Sequence, residues 1–250
     1  MFKYTIRWTR PYVRILHKGY LGMRRSLREN LPAGLATRMD SAFEHFDLMM
    51  IDHGVLRLVY LNRHPVVPGR VYRSAQPSPR DITRAAKRGI RTIVNLRGDR
   101  DCGSYRLEKA ACERHGIALV DFTARSRQAP PREFFHQAKA MFESIEYPML
   151  MHCKSGADRV GLMGVLYLVL VEGKPVEVAM RQLSLRYGHI RQAETGILDA
   201  VFTTYIEHNR RNPIAFLDWI DAFYDPHQLK AKFASRKWGN VLVNGVLRRE

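Results

Sequence analysis

The sequence predicts an α/β fold with a mostly parallel central sheet flanked by helices. Three observations lead there. From Val71 onward, short runs rich in Val, Ile and Leu alternate with helical patterns, which implies parallel strands joined by helical crossovers. Gly or Pro punctuates most of the joints between them. The chain has 250 residues, 46% hydrophobic and 26% charged, enough for one catalytic-sized domain with extensions and a real core.

The elements follow in order. Thr9 and Pro11 open a basic amphipathic helix in which Tyr12, Val13, Ile15, Leu16, Tyr20, Met23 and Leu27 share one side. Arg14, Lys18, Arg24, Arg25 and Arg28 take the other. A second helical pattern spans roughly 34–50. Val55–Leu61 and Val71–Tyr72 read as short strands around the turn signals of Pro65–Gly69. Pro77-Ser-Pro79 opens a helix that Gly89 ends. Arg91–Leu96 is a buried strand, Ser104–His115 a helix stopped by Gly116, and Ile117–Phe122 a strand. Pro130–Pro131 opens a helix to about Glu146, and Pro148–His152 is a strand. Val160–Val171 is an apolar helix ended by Gly173 and Pro175, followed by helices near 175–186, 194–209 and 213–224. The late helices are expected on one side of the sheet. The expected organisation is a basic, partly helical N-terminal extension at 1–53, a catalytic domain at 54–225 and a basic C-terminal tail at 226–250.

The net charge is +17. Residues 1–30 hold eight Lys or Arg against one Glu, and residues 226–250 hold six against one, so the extensions carry most of it. Such a field favours anionic partners. Three cysteines without paired spacing exclude a disulfide scaffold and suit a reducing compartment. The longest apolar run, Val160–Val171, is too short to cross a bilayer as a helix. The basic N-terminus lacks the apolar stretch of a secretory signal. The expected location is therefore cytoplasmic, with the N-terminal helix offering peripheral contact to an anionic inner membrane face. Packing of that helix on its own domain is the plainer alternative.

The chemistry concentrates in Met149-Leu-Met-His-Cys-Lys-Ser-Gly-Ala-Asp-Arg-Val-Gly161. An apolar strand delivers Cys153 to a tight turn that opens an apolar helix. Five residues separate Cys153 from Arg159. Backbone N–H groups of Lys154, Ser155, Gly156, Ala157, Asp158 and Arg159 can form an anion nest, reinforced by the helix N-terminus. Gly156 permits the backbone conformation such a turn needs. Arg159 offers a planar fork to two phosphate oxygens. A thiol in that field is expected to ionise near neutral pH and to act as a nucleophile. The implied reaction is attack on phosphorus, a phosphocysteine intermediate, then hydrolysis. No metal or cofactor is implied, since no His, Cys or carboxylate cluster has metal spacing.

His152-Cys153-Lys154-Ser155-Gly156-Ala157-Asp158-Arg159 resembles the signature loop of the cysteine-dependent protein tyrosine and dual-specificity phosphatases. Val71-Tyr-Arg-Ser-Ala-Gln-Pro77 and Thr92-Ile-Val-Asn-Leu-Arg97 resemble the small dual-specificity-like branch of bacteria and fungi, so the similarity covers roughly 54–190. The resemblance implies a phosphatase-like phosphate loop between strand and helix. It implies Cys153 as nucleophile, Arg159 as phosphate-binding arginine, and His152 as a residue that orders the loop.

Two positions depart from the family pattern. Val160 stands where the family usually has Ser or Thr to help the thiolate leave, a task Ser155 could take over. The loop from Thr123 to Pro131, where the family usually carries an acidic proton donor, holds Arg125 and Arg127 but no carboxylate. Asp158, inside the phosphate loop, is preferred as general acid, as in some lipid-directed members of the superfamily. Its alternative reading is a structural ion pair. Asp121 is the rival, with Asp99 and Asp101 further candidates. Lys154, Arg125 and Arg127 would suit more highly charged substrates, or serve as solvated charges. Cys102 is weighed as a redox partner of Cys153, but Cys102 and Cys112 read first as ordinary thiols.

The leading function is a metal-independent phosphoric monoester hydrolase. Its substrate is a phosphotyrosine or phosphoserine/threonine protein, or a phosphoinositide or phospholipid head group. The alternative is a pseudophosphatase that binds phosphorylated partners without efficient turnover. Nucleic-acid binding has only charge in its favour and no recognised motif.

Overall fold

The computed structural model describes residues 61–235, together with Gly22, Ser26, Pro32, Leu35 and Phe43. Two compact units divide the chain: Met1–Val55 with Asp101–Leu107, and Leu56–Arg100 with Glu108–Glu250. In the first, Gly22, Ser26, Leu35 and Phe43 are helical. The N-terminal amphipathic helix, the helix at 34–50 and the far end of the C-terminal tail otherwise lie outside the described residues.

The second unit is built on a five-stranded sheet. Its strands are β1 (His64–Val67), β2 (Val71–Ser74), β3 (Thr92–Asn95), β4 (Ala118–Asp121) and β5 (Met149–His152), in the order β1-β2-β5-β3-β4. Only β1 runs antiparallel, against β2; the other pairs are parallel. The sheet thus has the expected mostly parallel form, with one antiparallel edge strand. β5 lies in the middle with every residue buried, and its register sets His152 beside Ser74 on one side and Asn95 on the other.

Side chains alternate between the two faces of the sheet. Ile93 and Leu150 point into a small apolar cluster with Ile82, Ala85, Ala111 and Cys112, supplied by helices α1 (Pro79–Lys87) and α2 (Gly103–Arg114). Val94, Met149 and Met151 point into the larger cluster. Helices α3 (Arg132–Ser144), α4 (Asp158–Leu170), α5 (Val176–Ala179), α6 (Ile197–Asn209) and α7 (Phe216–Ala222) build that face, so the late helices do share one side. Residues 226–235 are also helical, and Leu229 is buried in the same cluster.

Local chemistry explains the boundaries. Ser78 caps α1 by accepting from the Asp81 amide, while the Asp81 carboxylate accepts from the Ser78 amide: a complete capping box behind Pro79. Gly89 and Gly116 end α1 and α2 with positive φ.

Three expectations need correction. Among the described residues the first strand is His64–Val67, which runs through Pro65, where a turn was expected; the strand expected at Val55–Leu61 lies outside the described residues except for Leu61, which is in no strand. Proline is tolerated there because β1 is an edge strand, with an irregular register between Pro65 and Val67. The helix expected over 175–186 stops at Ala179 and continues as 3₁₀ turns at Met180–Gln182 and Leu185–Tyr187. The reason is tertiary: Gln182 and Leu183 press onto the glycines of α4, as described below. The helix expected from 213 begins only at Phe216, and a 3₁₀ turn, Glu194–Gly196, precedes α6.

Candidate active site

β5 ends at His152, and the chain passes through Cys153 into the loop 154–157 before α4 begins at Asp158. The site therefore lies at the carboxyl end of the central parallel strand, where such sheets place their ligand crevices. Cys153 is 2% exposed, at the floor of the loop.

The loop is shaped from outside, through its carbonyl oxygens. The Gln76 amide donates to Lys154 O at 3.5 Å, and Asn62 Nδ2 donates to Ser155 O at 3.1 Å. Arg73 Nη2 donates to Gly156 O at 2.8 Å and to Ala157 O at 3.0 Å. In a planar trans peptide the carbonyl of one residue and the N–H of the next point in opposite directions. Four carbonyls held outward turn the amides of Ser155, Gly156, Ala157 and Asp158 toward the interior of the loop. Amides arranged in this way can receive an anion.

Gly156 is required by this construction. Its φ is +71°, and a Cβ there would meet Ala75 N at 2.6 Å and Ser74 C at 2.7 Å. The loop can lie against β2 only because no side chain intervenes.

Arg73 is fully buried and organises the outer shell. Its Nη1 donates to Gln182 O at 2.8 Å and Gln182 Oε1 at 2.7 Å, and its guanidinium lies over the Tyr187 ring at 3.9 Å. Gln182 reaches it because α4 presents Gly161 and Gly164. A Cβ on Gly161 would meet Leu183 Cδ2 at 2.7 Å and Gln182 O at 2.9 Å. Asn62 also donates to Tyr187 O at 2.9 Å, joining the 185–187 turn to the loop.

A second buried network lies beside β5. His152 is fully buried with Nε2 2.6 Å from Glu108 Oε1. Gln76 Nε2 donates to Glu108 Oε2 at 2.8 Å, and Arg97 Nη1 donates to Gln76 Oε1 at 2.7 Å. His152 therefore touches a chain of polar groups that leads back to β2 and β3.

The model of the Tyrosine phosphatase family matches residues 52–225. The chain belongs to this family. Among curated proteins it is 26% identical over 113 residues to the dual specificity protein phosphatase TpbA of Pseudomonas aeruginosa, covering 45% of this chain and 49% of the relative. The chain thus spans about half the length of the curated relatives it matches. The crystal structure of P. aeruginosa TpbA superposes with a TM-score of 0.46 at 18% identity, covering 70% of this chain and 91% of that one. Tk-PTP in its active form gives a TM-score of 0.45 at 20% identity, covering 58% and 98%.

Within this tyrosine phosphatase family domain the remaining residues fall into place. Arg159 lies in the first turn of α4, half-buried, with Nη1 3.4 Å from Leu96 O. The Ala124 amide donates to the same oxygen, which sets the segment after β4 beside the arginine. That segment and α3 border a cleft of about 560 Å³ lined by Thr123, Arg125, Gln128 and Phe134 among others. Arg125 donates to Gln128 Oε1 at 3.0 Å, and Arg127 pairs with Glu194 at 3.6 Å on the surface. Lys154 is half-buried and Ser155 exposed, while Val160 is buried in the core.

The carboxylates separate clearly. Asp121 closes β4, two strands from β5, and accepts from Asn95 Nδ2 at 2.8 Å. Asp99 is exposed, and Asp101 is exposed and pairs with Arg106. Asp158 stands at the loop itself, its Oδ1 2.7 Å from His189 Nδ1, while His189 Nε2 lies 2.6 Å from Asp199 Oδ2. Cys112 is buried, and burial, followed by Glu108 and Glu113, pushes its thiol up to about 12. It behaves as core. Cys102 is half-buried beside Ser104.

Sequence reasoning located Cys153, Gly156, Asp158 and Arg159 but missed Asn62, Arg73, Gln182, Glu108, His189 and Asp199 as parts of the same construction. Arg73 alone left a trace, within the Val71–Pro77 stretch that carries the family resemblance. Among the described residues, no helix is long and apolar enough to cross a membrane.

Proposed function

We propose that the protein is a phosphoric monoester hydrolase that works without a metal through a phosphocysteine intermediate. The observation that carries this reading is the row of four loop carbonyls bound from outside the loop after Cys153, which leaves the intervening amides free to face an anion there. Cys153 Sγ attacks phosphorus, and the bond to the leaving oxygen breaks. Asp158 supplies the proton that the leaving oxygen takes. Water then attacks the phosphocysteine, the S–P bond breaks, and Asp158 takes the proton that water releases. The amides of Ser155, Gly156, Ala157 and Asp158, with Arg159, bind the equatorial oxygens throughout.

Asp158 is preferred over Asp121 because it lies on the loop itself, whereas Asp121 is two strands away and engaged by Asn95. The substrate class is a phosphorylated protein or a phosphorylated lipid head group. The name of the curated relative supports the first, and Lys154 with the basic extensions supports the second. The basic N-terminal helix would carry the peripheral contact with an anionic membrane face, with the protein otherwise in the cytoplasm.

The test is hydrolysis of an aryl phosphate in the presence of a chelator, beside Cys153→Ser and Asp158→Asn, followed by phosphopeptide and phosphoinositide panels. Chelator-resistant activity lost in Cys153→Ser is expected. Binding of inorganic phosphate with no turnover on any of these substrates would favour a phosphate-recognition module instead. That reading draws on Val160 and on the lack of a carboxylate between Thr123 and Pro131.

A further inference from the structure

We propose that His189 is the positioning residue for Asp158, holding one carboxylate oxygen so that the other faces the leaving group. This inference rests on the reading of Asp158 as the general acid.

The three side chains form a line from the loop into the core. Asp158 is 24% exposed, His189 not at all, and Asp199 5%. His189 Nδ1 meets Asp158 Oδ1 at 2.7 Å, and Nε2 meets Asp199 Oδ2 at 2.6 Å. The Asp199 carboxylate can only accept, and Asp158 Oδ1 accepts whether or not Oδ2 carries a proton, so a ring between them donates from both nitrogens and carries a positive charge. Burial opposes that charge, but the hydrogen bonds and charges of Asp158 and Asp199 outweigh it and raise His189 to about 9.

The backbone keeps the ring in place. His189 follows Gly188, which has a φ of +78°, and the His189 amide donates to Ser184 O at 3.1 Å. Asp199 comes from the first turn of α6 and is buried. The ring is therefore held from the core side by the first turn of α6.

The consequence for catalysis concerns which oxygen carries the proton. With Oδ1 occupied by the Nδ1 proton, the reacting proton must sit on Oδ2. When the Oδ2–H bond breaks and the leaving oxygen takes the proton, the carboxylate that forms is already paired with the imidazolium. In the second step Oδ2 receives the proton from water, and the cycle closes with His189 unchanged.

The test is a series of phosphate monoesters of increasing leaving-group pKa, from nitrophenyl to alkyl, on the full chain. Acid assistance matters least for the most acidic leaving group and most for the least acidic. His189→Ala is expected to lower kcat/KM only a few-fold at the acidic end and on the order of 100-fold at the other. Added imidazole should restore part of the loss. Equal loss across the series, or none, would overturn the proposal. Asp158→Asn separates the two ideas. If its dependence matches the wild type, the acid assignment itself fails; if it steepens while His189→Ala stays parallel to the wild type, only the positioning role fails. Should His189→Ala not fold, Asp199→Asn takes its place, with vanadate binding as proof of an intact loop, and a steeper dependence is again required.

Discussion

Arg73 donates to the carbonyl oxygen of Gly156 at 2.8 Å from a fully buried position on β2. A cation set behind the loop thus shapes the front of it. By binding the oxygens of Gly156 and Ala157, Arg73 holds their peptide planes with the amides inward. The shape of the loop is a consequence of what grips it from the outside.

Removing that grip should cost both stability and phosphate affinity. Arg73→Met leaves the oxygens of Gly156 and Gln182 without their donor, at about 1–3 kcal/mol for each unsatisfied group. A loss on the order of 3 kcal/mol in urea unfolding is expected, with weaker vanadate binding measured by titration. Unchanged vanadate affinity would mean the loop shapes itself.

Gly161→Ala tests the same assembly from further away. Its new Cβ would press on Leu183 and the Gln182 carbonyl, and overpacking of this kind costs about 1–3 kcal/mol. Gln182 would be pushed from Arg73, so kcat/KM should fall although Gly161 touches no substrate. Thermal unfolding and steady-state kinetics on one preparation would show whether the two losses occur together.

The two cysteines of the second unit should differ in kind. Cys112 is buried and its thiol is pushed up to about 12, so it stays protonated at neutral pH. Iodoacetamide should leave it unmodified in the folded protein, as peptide mapping would show. Cys112→Ala should keep wild-type hydrolysis and cost about 1 kcal/mol of stability from the lost sulfur contacts.

His189 should make stability depend on pH. Its value in the folded protein, about 9, lies above the ordinary 6.5, so the imidazolium stabilises the fold fully below about pH 6.5. That contribution fades as the pH rises through about 9. Urea unfolding at pH 6 and pH 10 should differ by on the order of 3 kcal/mol from this group. Asp199→Asn should remove much of the difference; an equal slope in that variant would place the effect elsewhere.

The reach of the sequence differs between elements. α1 was legible because Ser78, Pro79 and Asp81 write its start locally, and Gly89 its end. The stretch at 175–186 was misread because Gln182 and Leu183 answer to Gly161 on another helix, a contact no local pattern encodes. β1 reads as a turn in the sequence because Pro65 signals one locally, while an edge position makes its missing N–H harmless.

The sequence by itself determined the α/β class, the central strand, and the placing of Cys153, Gly156, Asp158 and Arg159 on one turn. These are contiguous, and hydrophobic period, glycine and spacing are short-range signals. The tertiary structure alone decided that Asn62, Arg73 and Gln182 brace the loop and that Asp199 reaches Asp158 through His189. Those partners lie 10 to more than 100 residues apart. What joins them is the burial of polar groups. Each oxygen or nitrogen carried into the core must find a partner wherever the packed chain happens to bring one.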